Sequence, residues 1–129
     1  MKGVISVSKR PQDRTLYPRH PDSRPIRLGL DDGAYVFVQD EAGTIYILAD
    51  GPHRHPLVLG GARAALYAGD LTIVDGLIHD ITNLSGTFQF DEPQGLLDVV
   101  QRLERMGFDV PSGAVRFFPV DGSRPSVLR

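Results

Sequence analysis

The segment Pro52-His53-Arg54-His55-Pro56 sets two imidazoles two residues apart with a guanidinium between them. In an extended segment residues i and i+2 point the same way, so His53 and His55 are expected to face one ligand. Two histidines make half a zinc site. A third ligand would have to come from Asp50, His79 or Asp80, and no spacing enforces that. The residues therefore name no metal and no cofactor. They suit an anionic or polar ligand, or else a loop whose histidines merely form hydrogen bonds. The glycines that follow, Gly60 and Gly61, do not make a phosphate loop, because no lysine or hydroxyl stands at the required spacing.

A second polar group lies further along. In Asn83-Leu84-Ser85-Gly86-Thr87-Phe88, strand alternation would put Asn83, Ser85 and Thr87 on one face, away from Leu84 and Phe88. Such a row binds a ligand or satisfies a loop backbone. Ser85 lacks the strand, turn and helix context of a nucleophile elbow. The candidate ligand-binding set is thus His53, Arg54, His55, Arg63, Asn83, Ser85 and Thr87. Most aspartates, among them Asp31, Asp32 and Asp75, sit at turns and are expected to cap backbone donors. Asp70 and Asp80 flank a hairpin instead. If the chain performs acid–base chemistry, His53, His55 and Asp70 are the residues to carry it, with Arg63 converging on them.

These side chains need a scaffold. Ala34 to Gln39 and Thr44 to Ala49 are β-branched and aromatic runs joined by Asp40-Glu41-Ala42-Gly43, and both are apolar on two faces, which predicts a hairpin covered on both sides. Asp75-Gly76 predicts a two-residue turn with Val74 opposite Leu77, Ile73 opposite Ile78, Thr72 opposite His79 and Leu71 opposite Asp80. A helix near 92–106 is expected, with Asp91 as cap, Gln94 completing a capping box, and Leu96, Val100, Leu103 and then Met106 along its apolar face. Ala114 to Val120 reads as a last strand. The sum is an α+β domain, mainly antiparallel with six or seven strands, and one amphipathic C-terminal helix.

Length and composition bound the rest. With 129 residues the chain makes one domain plus a short tail. It has no cysteine, so disulfides, thiolate metal sites and cysteine nucleophiles are excluded. It has no apolar run of spanning length, which argues against a membrane role and for a cytoplasmic setting. The net charge of -2 is a cancellation: residues 1–30 hold seven Lys and Arg against two Asp, or +5, which leaves -7 for the remainder. Pro11, Pro18, Pro21 and Pro25 exclude helix and central strand from residues 8–28, so the basic segment 1–29 reads as an extended arm, with Val4 to Val7 as a short strand. An arm folded onto its own acidic body is the simplest use of that charge. This disfavours nucleic acid as the partner. The arm also offers a strand to a second copy of the chain, which would make a homo-oligomer.

The run Ala68-Gly69-Asp70 to Ser85-Gly86, with the preceding histidine loop, resembles the conserved region after the IQ motif in plant IQ-motif calmodulin-binding proteins and their short bacterial relatives. The resemblance is loose over 34–119 and closest over 68–88, carried by Gly69, Asp70, Asp75, Gly76, Ile81, Asn83, Ser85 and Gly86. The chain departs from that pattern where His53-Arg54-His55-Pro56 replaces two adjacent histidines followed by small hydroxyl residues, and where Thr87 and Phe88 replace a histidine and a tyrosine. The IQ motif is absent, so the resemblance implies no calmodulin and points to a bacterial source. Together these readings lead to the expectation of a small binding or regulatory domain for an unknown small molecule or protein. The alternative is a hydrolase or transferase acting on a nucleotide-like or phosphorylated substrate.

Overall fold

The computed structural model describes residues 8–129; the candidate strand at Val4 to Val7 lies outside them. Seven strands form one sheet: β1 (Arg24–Pro25), β2 (Gly33–Asp40), β3 (Ile45–Ala49), β4 (Ala65–Val74), β5 (Leu77–Thr82), β6 (Val115–Phe117) and β7 (Ser126–Val127). Their order is β1-β3-β2-β4-β5-β6-β7. Every pairing is antiparallel except β5 with β6, which is parallel and is reached through the helix α2 (Pro93–Arg105). The fold is α+β, as the alternating runs predict. A second helix joins it, because His55–Leu59 forms a one-turn helix, α1, where the sequence reads as an irregular loop.

The Asp75-Gly76 turn forms with φ of 51° and 79°, the two positive values a type I′ turn requires. Val74 faces Leu77 and Ile73 faces Ile78 as expected, but the register then slips, and Thr72 pairs with Asp80 and Leu71 with Ile81. His79 is the extra residue of a bulge, which moves it out of line with Thr72.

Register also sorts the side chains by face. On β4, Tyr67 and Asp70 are three residues apart within an unbroken register, so they point to opposite sides of the sheet. On the Tyr67 side lies α2. Leu96, Val99, Val100 and Leu103 of that helix are fully buried, and Tyr67 stacks on Phe90 with ring centroids 4.9 Å apart. Each such aliphatic side chain removed from water contributes about 2 kcal/mol. Met106 falls off this stripe and is exposed, so the apolar face ends one turn earlier than the spacing suggests. The cap differs too. Glu92 occupies the N-cap position without a side-chain bond, Asp91 accepts from the Val120 N–H at 2.9 Å, and Gln94 donates to Asp98.

On the Asp70 side the cover is α1, which buries Val58 and Leu59; residues 8–28 reach both faces, with Asp13 and Tyr17 beside the Asp70 side and Lys9 and Leu28 against Phe90 and Gly107 on the α2 side. That segment is stitched to the body by its backbone. Lys9 exchanges both backbone bonds with Ala65 at 2.7 and 2.8 Å, the Gln12 N–H donates to Thr87 O, the Gly61 N–H to Tyr17 O, and the His20 N–H to Leu57 O. Pro11, Ser23 and Ile26 are buried along it. Its charge does not act through ion pairs, however. No Lys or Arg of the described arm lies in an ion pair with a carboxylate; where arm cations touch the body they meet neutral groups, Lys9 at the Gln89 carbonyl and the Phe90 ring and Arg19 over the Tyr46 ring.

Candidate functional site

Between α1, the arm and the loop after β5 lies an open cleft of about 860 Å³. One wall is Asp50, Gly51, His53, Arg54, His55 and Pro56; Asp70, with its register partner Val36, forms the floor. The opposite wall is the 83–87 loop with Phe118, Pro119 and Val120, and Asp13 and Tyr17 close one end from the arm.

His55 begins α1, and this decides its geometry. Its Nε2 lies 2.8 Å from Gly69 O, and because a carbonyl only accepts, Nε2 must carry the proton. The neutral ring then keeps Nδ1 as an acceptor. Burial holds the His55 pKa below the usual imidazole value, against opposing effects of the Gly69 bond and the Asp50 charge. Asp70 Oδ1 stands 3.7 Å from the same Nε2, too far for a hydrogen bond. Burial, followed by the charges of Asp50 and Asp80, pushes the Asp70 carboxyl up to about 6. Neither Asp50 nor Asp70 has a Lys or Arg within ion-pair distance among the described residues. With the histidines neutral, the lining carries Asp13, Asp50 and Asp70 against Arg54, a formal charge of -2.

Gly69 is what lets these parts meet. A Cβ there would collide with the carbonyl oxygen of Thr82, so only glycine allows the chain leaving β5 to cross so close while its own carbonyl receives His55.

The two histidines do not point together as an extended segment would make them. His53 takes a left-handed φ of 55° and is exposed, whereas His55 is mostly buried at the helix start. The polar row at 83–87 is a loop rather than a strand, and its side chains serve the backbone. Asn83 is buried and donates to Phe90 O and Phe118 O while accepting from the Phe118 N–H at 2.7 Å. Ser85 Oγ accepts from the Phe88 N–H, and Thr87 Oγ1 from the Asp13 N–H, so these two line the cleft already engaged. Arg63 is exposed and outside the cleft, which removes it from any convergence with His55 and Asp70. His79 and Asp80 line a separate depression, where Asp80 is held bidentately by Arg116 at 2.6 and 2.8 Å. Among the described residues no three His, Asp or Glu side chains gather where a metal ion could be held.

Sequence reasoning named Asp50 only as a possible third metal ligand and missed the apolar wall. Nothing local shows that the charge of Asp50 reaches Asp70. Leu84 and Val120, 43% and 47% exposed, form an apolar rim assembled from two distant segments. Comparison with known families, with curated proteins and with solved structures finds no match to this chain.

Proposed function

We propose that the chain is a ligand-binding domain whose cleft takes a small polar organic molecule with hydroxyl or amine donors on one side and an apolar part on the other. The observation that carries this reading is the pair of carboxylates, Asp50 and Asp70, facing an open cleft with no Lys or Arg in ion-pair distance of either among the described residues, and with only Arg54 in the lining against them. Donors of a ligand would satisfy them, and Leu84, Phe118 and Val120 would receive its apolar part. The net charge of the lining argues against an anionic group at the histidine wall. A kinship with the region after the IQ motif belongs to the same proposal; four of the residues that carry the resemblance, Asp70, Asn83, Ser85 and Gly86, line this one cleft. A bacterial, cytoplasmic setting belongs to the same proposal, and so does a second copy paired through the arm. Among the described residues no helix is long and apolar enough to cross a membrane.

A second reading rests on Asp70 beside His55. A carboxyl titrating near 6 beside a neutral imidazole is suited to take up and return a proton near neutral pH. In that case the cleft is catalytic, with Asp70 as base and His55 Nδ1 as the second proton acceptor. A library of small amines, polyols and carboxylic acids, followed by amide chemical shifts of the labelled protein, tests the binding reading. Amines and polyols should move His55, Asp70 and Ser85 in the wild type and lose that effect in Asp70→Asn. Hits that scatter over the surface, or none at the cleft, would refute it.

A further inference from the structure

Beside the cleft lies a shallower depression of about 540 Å³, and the two share Gln12, Gln89 and Val120. Three basic side chains of the arm, Lys9, Arg10 and Arg14, converge on it. None of them is in an ion pair among the described residues, and residues 1–7 contain no carboxylate that could supply one. Arg10 and Arg14 are exposed and make no side-chain hydrogen bond among the described residues, so both guanidinium forks are free. Lys9 donates one of its three ammonium hydrogens to Gln89 O at 3.0 Å and rests over the Phe90 ring, which fixes its position and leaves two donors. Asp91 is the one carboxylate in the lining, and its Oδ1 is occupied by the Val120 N–H.

From this convergence we propose that the depression is an oxyanion subsite for the phosphoryl group of a phosphate monoester whose organic body occupies the adjoining cleft. Three cations against Asp91 leave a formal +2, which matches a phosphoryl dianion and exceeds what a single carboxylate needs. Two arginine forks and an ammonium supply donors to three oxygens on one center. The scaffold under them is already ordered, since Lys9 is locked to Ala65 and Gln12 to Thr87 through the backbone, so binding does not have to order the arm. The phosphorylated substrate that the sequence offered as the alternative thus meets its cations on the arm and not at the histidine loop, where the charge is of the wrong sign. The link to an organic body rests on the cleft reading; capture of the phosphoryl group does not.

The experiment is a titration of the labelled full-length chain with inorganic phosphate, phenyl phosphate and a short oligothymidylate, each against sodium chloride at matched ionic strength. Inorganic phosphate should move the amides of Lys9, Arg10, Arg14 and Gln89 first. The double variant Arg10→Gln, Arg14→Gln should weaken that response by roughly tenfold or more, as expected for losing two charge-assisted contacts. Asp70→Asn should leave it intact, which separates this subsite from the acidic floor of the cleft. Phenyl phosphate should bind more tightly than phosphate and add shifts at Leu84 and Val120; equal affinity for the two would break the link to the cleft. Equal shifts at Arg102, Arg105 and Arg124 would overturn the site as built. So would an oligothymidylate that binds with a steep salt dependence through Arg19, Arg24 and Arg27, which would make the arm a nucleic-acid surface instead.

Discussion

On one face of the sheet α2 lays down Leu96, Val99, Val100 and Leu103 with no exposure left; on the other, the five-residue α1 buries Val58 and Leu59 and stops, leaving Asp70 on the floor of an open cleft. A thirteen-residue helix can shut a sheet face, and one turn of helix cannot. The same strand, β4, serves both. Tyr67 points into the closed side, where its hydroxyl donates to Glu92 O, and Asp70 points into the open one. Stability is concentrated where water is excluded, and an uncompensated carboxyl is tolerated where it is not.

The sharpest way to break this division is at Gly69, where the chain after β5 crosses. Gly69→Ala drives a methyl group into the Thr82 carbonyl and should cost about 3 kcal/mol or more, disturbing both faces together. Denaturant unfolding checks it; a loss below about 1 kcal/mol would mean that the crossing yields easily. Next in size is the closed face alone. Leu103→Ala opens a cavity under α2 and should cost about 3 kcal/mol at any pH, with the amide shifts of His55 and Asp70 unchanged. Shifts that propagate to the cleft would show that the two faces are coupled.

The open face should respond with the opposite sign. The folded state holds the Asp70 pKa above its ordinary value, so it binds a proton that the unfolded chain has already released. Its stability penalty is absent below about pH 4, grows as pH rises to about 6, and is complete above that. Asp70→Asn should therefore stabilise the protein near neutral pH. Since the side chain is 37% exposed, solvent screening reduces the gain to about 1 kcal/mol. At pH 4 the variant and the wild type should unfold together. A gain that persists in acid would assign the effect to packing rather than charge.

How far the sequence reveals this arrangement depends on the range of each signal. The 34–49 hairpin, the Asp75-Gly76 turn and the Leu96-Val100-Leu103 stripe are written in adjacent residues and could be read directly. The α1 turn could not, because His55-Pro56-Leu57-Val58-Leu59 is too short to show a helical period and is framed by proline and glycine. The bulge at His79 changes the partners of Thr72 and Leu71 without any local mark. Asn83 was legible as a polar residue of interest, but its role depends on Phe90 and Phe118, and Phe118 is 35 residues away. The cleft shows the same limit: His55 and Asp70 could be nominated from type and spacing, whereas Arg63, equally close in sequence, points elsewhere. The basic arm had a legible charge and an illegible use, since its arginines form no ion pair with the acidic groups that seemed to call for them.

The claim on which the account turns is that the open face keeps an unbalanced carboxyl ready for a ligand. It is tested most directly by following the side-chain carboxyl carbon of Asp70 through a pH titration by NMR. The structure predicts a midpoint at about 6, well above the ordinary aspartate value, with a matching inflection in the His55 ring signals as the neighbouring charge appears. A midpoint near 4, indistinguishable from a solvated aspartate, would contradict it.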